Sequence, residues 1–173
     1  KHHHAYHDHR DPSVLFLLFH LHIDSCVACI TPPIPVFSLR SESSFGVGEF
    51  YDLKLMVDWA AATGQSIIQI LPINDTTMYG TWEDSYPYNA NSTFALHPQF
   101  LRLEAVGKLK NKAEAERFAT LGKELNLLPA VDYERVNNAK AEYLHAIFAE
   151  EGKKTLASKE FKAFMEANEE WLK

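Results

Sequence analysis

Cysteine is almost missing from this sequence: Cys26 and Cys29 are the whole complement, and the body of the chain from Thr31 onward has none. So small a number excludes a disulfide framework, and a cysteine-free body suits a reducing compartment, so the cytoplasm is the expected location. Long apolar runs are missing too. "SVLFLLFHLHI" has about half the ~20 residues that a spanning helix needs, and His20 and His22 interrupt its end, so no membrane span is expected. There is no block of one charge. The formal net charge is -6 with acids and bases interspersed, and no basic stripe is present to neutralise a phosphate backbone, which argues against nucleic acid as a partner.

What is present is an ordinary globular composition, 46% hydrophobic over 173 residues, enough for one domain with a real core. Residues 1–31 stand apart as a histidine-rich leader, expected to be disordered or foreign to the domain. A secretory signal fits poorly, because Ser25-Cys26-Val27-Ala28 is a weak small-residue cleavage site. His20, His22, Cys26 and Cys29 crowd together without the intervening loop of ~12 residues or more that zinc modules use, so no metal site is expected. The chain starts at Lys1 rather than Met and stops within the helical pattern "FMEANEEWL", so both ends read as cut.

From Pro33 the pattern becomes regular. "IPVFSLR" reads as a short strand with Pro35 near its start. Phe50, Leu53, Val57 and Ala60 then recur at helical spacing up to a stop at Gly64. "SIIQILPI" is a near-continuous apolar run, the pattern of a parallel strand buried on both faces. Strand, helix and strand make one βαβ unit, and in parallel architectures ligands bind at the carboxyl ends of strands. The loops beginning at Arg40 and Asn74 therefore fall on the functional face.

The loop "NDTTMYGTWEDSYPYNANSTFALHP" is far longer than the ~2 to 6 residues needed to join a strand to a helix. It carries Tyr79, Trp82, Tyr86 and Tyr88 beside Asn74, Asp75, Asp84, Ser85 and Asn89. A sugar ring has an apolar face of C–H groups and an equator of hydroxyls, so its site combines flat aromatic platforms with hydrogen-bonding side chains. Tyr86 and Phe94 read instead as plugs holding the loop down; for Trp82 both roles stay open. Asp75, Glu83 and Asp84 read as binding or structural carboxylates rather than as a catalytic pair. Dinucleotide binding is disfavoured, since Tyr51 stands where the Rossmann fingerprint in "FGVGEF" would need its third glycine. Gly46 and Gly48 are then expected to supply tight turns.

The second half reads as helical. Asn111 with Glu114 three residues on suggests a capping box before a stripe of Phe118, Leu121 and Leu125. The next helix places Val136, Ala139, Tyr143, Leu144, Ile147 and Phe148 on one side and should end at Gly152, with His145 solvated or at the core edge. A last helix is capped by Ser158, with Phe161, Phe164, Met165, Asn168, Trp171 and Leu172 as its stripe.

The segments "IPVFSLRSESSFGVGEFYDLKLMVDWAAATG", "QILPINDTTMYGTWEDSYPYNANSTFALHP" and "VDYERVNNAKAEYLHAIF" resemble the amino-terminal part of the catalytic domain of 4-α-glucanotransferases, the amylomaltase or disproportionating-enzyme family (glycoside hydrolase family 77). The resemblance runs from Ile34 to Lys173. It implies an α/β fold, the first two strands of a (β/α)8 barrel with a βαβ unit and substrate loop over 34–107 and a helical insertion over 108–173. It also implies a retaining enzyme acting on α-1,4-glucans such as maltooligosaccharides, glycogen or starch, with no metal or organic cofactor. On matching positions Tyr88 is similar to the family's sugar-stacking tyrosine, with Ser85 and Asp84 as polar neighbours and Asn74 and Asp75 as weaker candidates, while Trp82 and Tyr79 are candidates from the aromatic loop alone. The family's nucleophile aspartate and acid/base glutamate lie beyond the equivalent of Lys173, so no catalytic residue is assigned here. Ile68 departs from the tryptophan that many relatives have at that place. A noncatalytic α-glucan-binding module using the same loop is the alternative.

Overall fold

The computed structural model describes residues 33–172; the expectations for the leader lie outside the described residues. Within them the first expected strand shrinks to one parallel bridge, Ile34 to Ile70. The Ile34 N–H donates to Gln69 O at 2.9 Å and the Leu71 N–H to Ile34 O at 3.1 Å. Pro35 has no N–H to carry a ladder further, and the chain turns at once into a 3-10 turn over Val36–Ser38. The second expected strand pairs at Ile70, but Ile67 is 49% exposed, which corrects the expectation of a run buried on both faces. A parallel strand is buried only where neighbours cover its edges and faces, and among the described residues no regular strand forms. The expected βαβ unit of a partial barrel is thus reduced, among the described residues, to a single parallel bridge between the segments that flank a helix.

That helix, α1 (Leu53–Ala62), turns Met56 and Ala60 inward rather than the expected Val57, which is exposed. Met56 packs with Ile34 and Leu39, and with Leu53 and Ile68 at the edge of this small cluster. Gly64 ends the helix with φ +73°, as its position suggests. After a turn over Pro98–Phe100 and the short α2 (Leu103–Val106) come α3 (Lys112–Asn126) and α4 (Tyr133–Ala157). Asn111 caps α3, its side-chain oxygen accepting from the N–H groups of Ala113 and Glu114.

Helices α3 and α4 form an antiparallel pair. Leu125 packs with Val136 near their connection, and Phe118 meets Tyr143 edge-on further out, with ring centroids 5.1 Å apart. Helix α4 passes Gly152 instead of stopping there and ends at Ser158, which caps α5 (Lys159–Ala167) by accepting from the Phe161 N–H at 3.0 Å. The last expected helix breaks in two at Asn168. That side chain donates to Phe164 O and accepts from the Trp171 indole N–H, competing with helix continuation before α6 (Glu169–Leu172).

Candidate functional site

The segment between Arg40 and Asp52, at the exit of the first pairing, is pinned by buried charge. Glu49 (0% exposed) accepts from the Lys140 ammonium at 2.6 Å and also from Arg102 Nε. Lys140 (1% exposed) spends its other donors on the carbonyls of Gln99, 2.6 Å, and Leu101, 2.8 Å. Arg102 also donates to Asp52 at 2.7 Å, and Asp52 accepts from Ser41 Oγ at 2.7 Å, Ser44 Oγ at 2.8 Å and the Glu49 N–H at 2.8 Å. Burial pushes the Glu49 carboxyl above its ordinary range against the pull of Lys140 and Arg102. The same burial pushes the Lys140 ammonium down. A network so fully satisfied fixes this segment against α4 and the Gln99–Arg102 stretch.

Gly46 does adopt a left-handed turn (φ +75°). Gly48 serves a different end from the expected turn: a Cβ there would lie 2.0 Å from Val36 O, so glycine is required for two backbones to touch.

The aromatic loop is held by polar anchors. Its ends pair in antiparallel fashion at Asn74 and Leu96, with the Asp75 N–H donating to Ala95 O at 2.9 Å and the His97 N–H to Ile73 O at 3.0 Å. Asp75 accepts from the Thr77 N–H at 3.0 Å, and its carbonyl accepts from the Asn91 N–H at 2.7 Å. Asp84 is buried, and its carboxylate accepts from the N–H groups of Tyr79 at 3.0 Å and Gly80 at 2.7 Å. Burial alone would raise the Asp84 carboxyl, but the amides of Gly80, Met78 and Tyr79 outweigh it and hold it below the ordinary carboxylate range. Thr76 Oγ1 donates to Asp84 O, and the Trp82 N–H donates to the Glu134 carboxylate at 3.1 Å, tying the loop to α4.

On this frame the rings face outward. Tyr79 is 69% exposed, Trp82 68%, Tyr86 60% and Tyr88 60%. Tyr86 and Tyr88 lie together, with centroids 5.5 Å apart and planes tilted by 53°. The expectation that Tyr86 and Phe94 plug the core is corrected. Both are exposed, and Phe94 stacks instead on Trp171 of α6, with centroids 5.6 Å apart. Ser85 is half-buried beside Asp84. Trp82 borders a shallow recess of about 450 Å³ shared with Pro129, Val131, Asp132 and Glu134. The loop thus joins Tyr79, Trp82, Asp84, Ser85, Tyr86 and Tyr88, with Asn74 and Asp75 at its root.

Glu49, Asp52, Arg102, Lys140 and His97 are the important residues that motif reading passed over. Lys140 had a signal: Val136, Lys140, Tyr143 and Ile147 follow helical spacing, so a lysine stands on the buried stripe of α4 and must find a counter-charge. Among the described residues no cluster of metal-ligating side chains occurs, and no helix is long and apolar enough to cross a membrane.

By similarity, the chain groups with proteins named as 4-alpha-glucanotransferases. The model of the 4-alpha-glucanotransferase family matches residues 34–173, and the chain belongs to that family. It is 46% identical over 140 residues to the 4-alpha-glucanotransferase DPE2 of Oryza sativa subsp. japonica, covering 81% of this chain and 15% of the rice protein. The 4-alpha-glucanotransferase of Chlamydia caviae is 38% identical over 141 residues, 81% of this chain and 26% of that protein. That of Chlamydia pneumoniae is 34% identical over 140 residues, 80% of this chain and 26% of that protein. The chain therefore spans a small part of the length of these relatives.

Proposed function

We propose that this chain is a substrate-binding part of a 4-α-glucanotransferase that moves α-1,4-glucan segments or glucosyl units between maltooligosaccharides, glycogen or starch by a retaining double displacement in the cytoplasm. The observation that carries the reading is the outward display of Tyr79, Trp82, Tyr86 and Tyr88 on one polar-anchored loop. Tyr88 stacks on the glucose ring beside the scissile bond, Trp82 and Tyr79 extend the platform, and Ser85, Asn74 and Asp75 offer hydrogen bonds to its hydroxyls. Asp84 contributes by fixing the backbone that bears the rings.

The nucleophile and acid/base carboxylates belong to further barrel strands of the parent enzyme. The exposure of Ile67, Leu55 and Val57 around the Ile34 to Ile70 pairing supports a sheet that continues past this pair. Without those carboxylates both covalent and acid/base catalysis are missing, so the purified chain is expected to give no transfer on maltose or maltotriose. Measurable disproportionation by the purified chain would overturn this. Binding of maltooligosaccharide, followed by calorimetry, should weaken at least about tenfold in Tyr88→Ala or Trp82→Ala, as the loss of an aromatic platform implies. Unchanged affinity in both variants would remove the loop from the site. The buried charge network joins Glu49, Asp52 and Arg102 to Lys140 of α4, giving the chain a satisfied core of its own that favours a second reading as a noncatalytic α-glucan-binding module.

A further inference from the structure

His97 lies under the root of the aromatic loop, 3% exposed, and its two ring nitrogens are unequal. Nδ1 accepts from the Gln99 N–H at 3.2 Å and so caps the turn Pro98–Phe100. An accepting Nδ1 carries no proton, so the neutral ring bears its hydrogen on Nε2, and that buried donor has no partner among the described residues. The His97 N–H meanwhile donates to Ile73 O, one of the bonds that close the loop at its root.

We infer that His97 is an acid-sensitive positioning residue of the aromatic loop: neutral, it locks the loop's root; protonated, it releases it. The chemistry follows from the proton count. Protonation adds a hydrogen to Nδ1, which then faces the Gln99 N–H donor to donor, and that bond is lost. The new charge acts on Asp75 and Asp84 from the loop and on Lys140 from α4, whose own ammonium is countered by Glu49. Asp84 already serves the amides of Tyr79 and Gly80, so attraction to the imidazolium competes with the bonds that shape the ring-bearing segment. Burial holds the ring's basicity below the ordinary histidine value, with Asp75 and Asp84 opposing. The stabilising contribution is therefore complete above the unfolded histidine value, about 6.5, and is lost as pH falls through the lower folded one.

Its meaning for sugar binding rests on the proposed glucan site, but its test uses no sugar, so the two can fail separately. The 15N-labelled chain is titrated by NMR from about pH 8 to 5, above the ordinary carboxylate range. Expected are an unprotonated Nδ1 signature for His97 at the upper end, and protection of the Gln99 and Gly80 amides falling at least about tenfold with the same midpoint as the ring. In His97→Asn the shorter side-chain oxygen still accepts from the residue-99 N–H as an Asx turn, so the loop should stay protected across the whole range. If the His97 ring titrates while both amides keep their protection, the inference fails on the unsubstituted chain alone. A pH step that survives in His97→Asn also overturns it.

Discussion

Replacing Lys140 by methionine is the most demanding test of how this domain is held together. The substitution keeps the reach of the unbranched stem, with sulfur in place of one methylene, and its helix propensity, while removing the ammonium. Three bonds go with it: to Glu49 at 2.6 Å, to Gln99 O at 2.6 Å and to Leu101 O at 2.8 Å. Glu49, wholly buried, keeps Arg102 as its remaining counter-charge. Breaking a buried ion pair from one side costs about 3 to 5 kcal/mol, against a total stability of about 5 to 15 kcal/mol for a domain. At this size that shifts the melting temperature by roughly 6 to 20 °C. Urea denaturation of the unsubstituted chain, Lys140→Met, Glu49→Gln and the double variant forms a double-mutant cycle. The double variant should be less destabilised than the sum of the two singles, because the second change removes the charge stranded by the first. A cost below about 1 kcal/mol for Lys140→Met, or simple additivity in the cycle, would refute the view that this pair organises the core.

Asp84→Asn replaces a two-oxygen acceptor by an amide whose NH2 faces the Tyr79 and Gly80 donors; about 1 to 3 kcal/mol of local stability should go, read as faster exchange of those amides with little change in the helical half. Because the folded Asp84 carboxyl lies below its unfolded value, its contribution is full above the ordinary aspartate range, about 3.9, and is lost as pH falls through the folded value. Trp82 fluorescence should therefore show an acid step that Asp84→Asn abolishes. Gly48→Ala should prevent folding, since its Cβ would stand 2.0 Å from Val36 O, and circular dichroism would show the loss. Gly64→Ala, at φ +73° but with nothing among the described residues within 4 Å, should cost only about 1 kcal/mol in the same melt.

The helical half was legible because its signals are local. Asn111 and Ser158 cap as their positions suggest, and the stripe of α4 buries Val136, Ala139, Tyr143 and Ile147 as spaced, although Phe148, expected on the same side, is exposed. Sequence misled where burial depends on partners far along the chain. "SIIQILPI" has the composition of an interior strand, but composition records what a segment must bury, not which chain buries it. Phe94 likewise looks like a plug by type, while its stacking partner, Trp171, comes from the last helix. The buried network was partly legible, since Glu49 and Asp52 keep the three-residue spacing of a capping box and Lys140 breaks an apolar stripe. Their meeting with Arg102 was not, because charge pairing across about 50 to 90 residues leaves no periodicity to read.

These anchors bear on how an irregular loop could bind sugar with useful affinity. Ordering a residue's backbone costs about 1 to 2 kcal/mol, so a long loop that became ordered only around its ligand would give back most of what its rings contribute. Here that ordering belongs to folding. The ends are paired at Asn74 and Leu96, the middle is gathered on the Asp84 carboxylate, Asn91 Nδ2 reaches Thr77 O at 2.6 Å, and Glu134 holds the Trp82 amide. What remains free is the small rotamer freedom of four aromatic side chains, two torsions each, at little entropic cost on binding. On the proposed glucan-binding reading, polar side chains without a ring to offer a sugar therefore set how well the rings can act, and Asp84, which holds the amides of Tyr79 and Gly80, is expected to matter to binding as much as Tyr88.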